Sequence, residues 1–159
     1  MNRLNKVMNT IARLPAGWQP GVRSFLMGKI IPFAGTASVR FQVLTNNECI
    51  VVLKNRRKTG NHIGTLHAAA MALAAESATG FVCAMNVPDS RVLVIRSMEL
   101  TYLKRTKGTF TAHARLSDEQ VKRLQNEEKG DITVPVVLTD EEGTESVQAN
   151  MIWAWTPKR

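Results

Sequence analysis

The sequence predicts an α+β fold in which a curved antiparallel sheet wraps one long helix. Residues from about Thr65 to Met85 form an almost purely apolar helix, rich in Ala, Leu and Met, that must be surrounded by protein on most sides. The segments before and after it alternate in hydropathy with period two and are separated by turn-forming clusters, so they read as strands. At 159 residues and 44% apolar content, the chain suits a single domain with one core.

Taken in order, Leu4, Val7, Met8, Ile11 and Leu14 recur at helical spacing, and Pro15 stops the helix they define. Its apolar stripe is short and has no aromatic anchor, which suits packing on the domain or a partner subunit better than lying on a membrane. Pro20 and Gly21 open a second short helix with Val22, Phe25, Leu26 and Ile30 on one side, ended by Pro32. Residues 1–35 are therefore expected to be an N-terminal helical extension to a domain over 36–159. From Thr36 the period becomes two: Val39, Phe41 and Val43 alternate with Arg40, Gln42 and Leu44, Asn46 and Asn47 supply turn chemistry, and Cys49 to Lys54 completes a hairpin. Beyond the long helix and a turn over Asn86 to Ser90, four strands are expected over 91–105, 109–116, 131–139 and 144–156. Gly108 and the cluster Asp140-Glu141-Glu142-Gly143 separate neighbours in hairpin fashion. Ser117 with Gln120 forms the capping box of a short charged helix running to about Glu128.

Lys plus Arg outnumber Asp plus Glu by 21 to 13, a net charge of +8 that favours an anionic ligand. Nucleic acid, anionic lipid and a phosphorylated cofactor such as coenzyme A all fit that charge. An aromatic RNA-binding motif, zinc-finger spacing and a helix-turn-helix signature are all missing, which makes nucleic acid the weaker partner. Cys49 and Cys83 show no CxxC spacing and no ligand pattern with His62, His67 and His113, so they read as reduced core residues and no metal is expected. No apolar run approaches the roughly 18 residues of a membrane span, and the basic amino terminus lacks a secretory pattern, so a cytoplasmic protein is expected.

The chemistry concentrates at Glu76. An ionised carboxylate in so apolar a helix costs several kcal/mol unless it is paired, hydrated or needed for function. The helix start, with free N–H groups and a positive dipole end, makes the Ala68 amide a natural donor to a developing oxyanion, with Glu76 as the base. Eight residues separate them, roughly 12 Å along one helix at ~1.5 Å per residue, too far for both to reach one carbonyl carbon. The two groups must then come from different copies of the chain. Ser77 and Thr79 offer hydroxyls beside Glu76, but no Ser-His-Asp spacing is readable.

Element order and motif together resemble the hot-dog fold, and within it the phenylacetyl-CoA thioesterase-like branch. That branch carries an Asn, a Gly three residues later, a His-Gly-Gly and, nine residues after the His, an acidic residue in an apolar helix. Those places hold Asn61, Gly64, His67, Ala68, Ala69 and Glu76 here. Two alanines stand where the branch has glycines, and Glu stands for its usual Asp. The stretch from Leu100 to Gly108 looks like the strand end that such proteins place near coenzyme A. The resemblance covers roughly 36–156.

The resemblance implies an acyl-CoA thioesterase acting as a homodimer with central helices side by side, with no cofactor beyond the coenzyme A of its substrate. It casts Glu76 as base or nucleophile, Ala68 as oxyanion donor, Asn61 as a partner for the attacking water or thioester, and His67 as an organiser of the loop or a structural histidine. Gly64 and Ala69 would border the substrate. The basic runs Arg56, Arg57, Lys58 and Lys104, Arg105, Lys107 are candidates for the coenzyme A phosphates, or are solvated surface. The alternative keeps the fold but has the protein bind acyl-CoA or acyl carrier protein without hydrolysis. A hot-dog dehydratase is disfavoured by the missing His-Phe-Pro-Gly loop. The acyl group and the pairing of dimers into tetramers stay open.

Overall fold

In the computed structural model, which describes residues 2–158, the expected long helix is α4 (Ala68–Ala84). Eight of its 17 residues are Ala, which favours helix intrinsically. The His67 imidazole caps its start by accepting from the Ala69 N–H at 3.0 Å. Leu73, Ala74, Ala75, Ala78, Val82 and Cys83 are buried along it. At its far end Asn86 Nδ2 donates to the Val82 carbonyl at 2.9 Å, and Pro88 prevents further helix.

Among the described residues, seven strands surround α4 in two antiparallel sheets. One orders β1 (Arg40–Leu44), β2 (Glu48–Leu53), β4 (Phe110–Arg115) and β6 (Val136–Thr139); the other orders β3 (Arg91–Tyr102), β7 (Val147–Pro157) and β5 (Gly130–Thr133). Helix α4 touches β2 and β4 of the first sheet and β3 and β7 of the second, so it is wrapped as expected. The expected β1–β2 hairpin forms, closed by the Thr45 N–H on the Glu48 carbonyl at 2.8 Å. A register shift between Phe41 and Val43 then turns Leu44 into the core in place of Val43.

The expected strand over 131–139 is two strands. Pro135 has no N–H to give a ladder. The Val134 N–H donates to Met151 of β7 at 2.9 Å, while the Pro135 carbonyl accepts from Arg115 of β4 at 3.1 Å, so the chain crosses from one sheet to the other at this point. Nor do Gly108 and the 140–143 cluster close hairpins: β3 pairs with β7, whereas β4 pairs with β2 and β6. Burial against α4 decides which strands meet, and the turn residues only let the chain reverse. Strand β3 ends at Tyr102 rather than Arg105, because the N–H groups of Leu103 and Lys104 both turn onto the Ser146 carbonyl.

Three helices precede the sheets. In α1 (Arg3–Ile11), Met8 and Ile11 pack inward and Asn2, its N-cap, donates to the Ala84 and Val87 carbonyls at 2.6 Å, fastening the helix to the end of α4. In α2 (Gln19–Ile30) the inward residues are Arg23 and Met27, which corrects the expected stripe: Val22 and Leu26 pack against the core, but Phe25 and Ile30 face outward. Arg23 sets that orientation by donating from Nη1 to the carbonyls of Phe41 and Gln42 in β1. Pro32 does not lead directly to a strand but starts α3 (Pro32–Ala37), so β1 begins at Arg40 rather than Thr36. The expected capping box of Ser117 and Gln120 is present on α5 (Asp118–Asn126).

Candidate active site

The loop entering α4 is organised by two side chains. Buried Thr59 donates from Oγ1 to the Lys54 carbonyl at 2.8 Å and accepts from the Arg56 N–H at 3.0 Å, while its carbonyl receives the His67 N–H at 2.9 Å. Asn61 Oδ1 accepts from the N–H groups of Ile63 (3.1 Å) and Thr65 (3.0 Å), and its Nδ2 donates to Thr65 Oγ1 at 2.9 Å. The Asn61 carboxamide is therefore engaged within its own loop and positions the chain that enters the helix. Gly64 supplies the positive φ, 78°, that the turn needs, and its carbonyl accepts from Asn55 Nδ2 at 2.9 Å.

This loop delivers the first turn of α4 with an uneven set of donors. The Ala69 N–H is held by His67 Nδ1, and the N–H groups of Ala70 and Met71 both reach the His67 carbonyl, at 2.9 and 3.1 Å. An accepting Nδ1 places the proton of a neutral ring on Nε2. Among the described residues nothing accepts from the Ala68 N–H, which lies on an exposed residue at the positive end of the helix. Tyr102, at the end of β3, donates its hydroxyl to the Ala68 carbonyl at 2.9 Å and so fixes that peptide from the other sheet. Tyr102 is a site residue that was not itself nominated, although it lies within the Leu100–Gly108 stretch expected near coenzyme A.

Two turns along, Glu76 is half-buried, and no hydrogen bond or ion pair among the described residues engages its carboxylate. Burial pushes its pKa above the ordinary carboxylate value, since a charge without a partner is disfavoured there. The neighbouring Ser77 Oγ is buried and unpartnered, whereas Thr79 donates to the Ala75 carbonyl and accepts from Trp153 Nε1 at 2.9 Å, a structural role.

The basic candidates divide. Arg56, Arg57, Lys104 and Arg105 are exposed. Lys58 Nζ donates to Ser38 Oγ at 2.6 Å. Lys107 is paired with Glu142 at 2.9 Å, which raises its pKa, so it differs from the free cation expected at a phosphate site. Among the described residues no His, Cys, Asp and Glu side chains gather into a group that could hold a metal ion.

Similar folds occur among solved structures. A protein of unknown function from Pseudomonas aeruginosa, PA5026, described as a probable thioesterase, is 23% identical, with 91% of this chain and 97% of that one covered at a TM-score of 0.78. A mutant form of thioesterase PA1618 from the same organism is 18% identical over 86% and 93% of the two chains, TM-score 0.70. Thioesterase HI1161 from Haemophilus influenzae is 12% identical over 79% and 82%, TM-score 0.65. No curated protein matches the chain. These likenesses show the fold, the hot-dog fold of thioesterase-family proteins. Residues 21–155 match the sequence profile described as Domain of unknown function (DUF4442), and the chain belongs to that family.

Proposed function

We propose that the protein is an acyl-CoA thioesterase working as a homodimer, with Asn61, His67 and the Ala68 amide of one copy facing Glu76 of the other. The observation that carries this reading is the pairing of one unengaged N–H at the start of α4 with one unpartnered, half-buried carboxylate in its middle. The thioester oxygen accepts from the Ala68 N–H. Glu76 takes a proton from water as the water oxygen attacks the carbonyl carbon; collapse of the tetrahedral intermediate then breaks the C–S bond, and Glu76 returns the proton to the leaving thiolate. The products are a carboxylic acid and coenzyme A thiol. Arg56, Arg57, Lys104 and Arg105 would meet the coenzyme A phosphates, and no other cofactor is required.

Two observations support a dimer. The rise of α4 keeps Ala68 and Glu76 of one copy roughly 12 Å apart. Strand β3 is the twelve-residue edge of its sheet, with one side unpaired among the described residues and with Val92, Val94 and Met98 exposed. Such an edge invites a second strand.

One observation favours binding without hydrolysis: His67 occupies the Ala69 N–H, so the oxyanion would have one backbone donor rather than two. Hydrolysis of a panel of acyl-CoAs by the wild type and by Glu76→Gln separates the readings. Turnover by the wild type that falls by about two orders of magnitude in the variant, with folding retained, is the expected result. Equal turnover in both proteins removes Glu76 from the chemistry, and tight binding without turnover in the wild type favours the binding protein.

A further inference from the structure

The charge of this chain is concentrated in its first half. Residues 1–47 contain six Lys or Arg and no Asp or Glu. Glu48, the sole acidic residue before Glu76, is already bonded to His113 at 2.6 Å and to Arg115 at 3.3 Å. In this basic stretch of chain α2 and α3 expose large apolar side chains: Trp18, at the start of α2, is 68% exposed, Phe25 64%, Ile30 57% and, in α3, Phe33 66%. Isolated exposed apolar residues are ordinary, but four this large within sixteen residues of chain call for a partner.

Helices α2 and α3 meet through Gly28 and Gly35 so closely that a Cβ on Gly35 would lie 2.7 Å from the Gly28 carbonyl oxygen. Between them a depression of about 550 Å³ is lined by Phe25, Lys29 and Arg40, among others. Lys29 Nζ sits 5.7 Å from the centre of the Phe25 ring, and Lys58 reaches Ser38 at the same depression. Phe25 thus shares the depression with Lys29 and Arg40, and no carboxylate lines it. Helix α2 lies against β1, whereas the strand edge proposed for the dimer is β3 of the other sheet, so dimerisation through β3 uses a different edge.

We propose that α2 and α3 dock on the surface of an anionic phospholipid bilayer, inserting Trp18, Phe25, Ile30 and Phe33 at the headgroup level while Lys29, Arg40 and Lys58 contact lipid phosphates. Tryptophan and phenylalanine favour that interface, and cations beside it gain from the negative surface potential. No helix of the described residues is long and apolar enough to cross a membrane, so the contact is peripheral. It is independent of the thioesterase reading.

The test uses the full chain with phosphatidylcholine vesicles, with and without phosphatidylglycerol. Trp153 and Trp155 are 6% and 1% exposed, so a change in tryptophan emission on binding reports Trp18. Sedimentation with the anionic vesicles only, reversal by salt, a blue shift and quenching by brominated lipid are the expected results. Phe33→Ser keeps the reporter and should weaken the blue shift and the binding; Lys29→Gln should weaken binding roughly five-fold, the effect of one surface cation. Both positions are exposed, and an unchanged thermal midpoint verifies folding. Three results overturn the proposal: no binding, binding that neither variant weakens, or self-association without vesicle binding that Phe33→Ser abolishes. The last assigns these side chains to a second copy of the chain.

Discussion

Gly80 tests how tightly the central helix is held by the sheet around it. A Cβ at this position would lie 2.6 Å from both Cζ2 and Cη2 of Trp153 on β7. The indole cannot easily withdraw: Trp153 is buried and its Nε1 donates to Thr79 Oγ1 at 2.9 Å, one residue before Gly80. In Gly80→Ala, overpacking costs about 1–3 kcal/mol. Shifting the ring adds ~1 kcal/mol for the strained hydrogen bond, and the better helix propensity of Ala returns about 1 kcal/mol. The net expectation is a loss of about 2 kcal/mol, which for a chain of this size lowers the thermal midpoint by roughly 4–8 °C. Gly21→Ala is the control, since nothing beyond the adjacent backbone of its own helix lies within 4 Å of a Cβ there, and it should raise stability by up to about 1 kcal/mol. Urea unfolding of both variants at one fixed protein concentration measures the difference. A Gly80→Ala protein as stable as the wild type would refute the close approach of α4 to Trp153.

Glu76→Gln should stabilise the protein at neutral pH. The folded-state pKa is raised, so the wild type has its full stability below the ordinary carboxylate range and loses part of it as pH rises through the folded-state value. Thermal melts of the two proteins should therefore diverge above the ordinary carboxylate pKa and converge below it; a constant gap would remove titration of Glu76 as its cause. The same raised pKa places the acid limb of thioester hydrolysis above the ordinary glutamate range, read from a pH–rate profile. His67→Ala removes the cap on the Ala69 N–H and should cost about 1 kcal/mol, whereas His67→Asn, which can accept the same bond, should restore most of it. Equal losses in both variants would mean that the imidazole acts by something other than capping.

The wrapped helix was legible because no other arrangement covers so many apolar residues, and the hairpin because Asn46 and Asn47 sit between two alternating runs. Strand partners beyond the hairpin were not legible. Gly108 marks a reversal, but the neighbour of β3 is β7, about fifty residues further on, chosen by what packs over α4. The outward turn of Phe25 and Ile30 was hidden for a related reason: apolar spacing alone favoured them for the core, and only the β1 carbonyls, which draw Arg23 inward, decide the face. At the site, Glu76 stood out because a charge in an apolar helix is conspicuous. The pairing of Lys107 with Glu142 and the clamp of Tyr102 on Ala68 join residues more than thirty positions apart, and no local spacing encodes them.

The shared site is tested most directly by mixing Asn61→Ala and Glu76→Gln proteins under conditions that exchange subunits. If loop and carboxylate come from different copies, each mixed dimer has one site with both defects and one with neither. Statistical exchange makes half the dimers mixed, so two nearly inactive proteins should recover thioester hydrolysis up to roughly a quarter of the wild-type rate. Exchange verified by mass spectrometry with no recovery would contradict the composite site, because groups acting within one chain leave a defect in every site of the mixture.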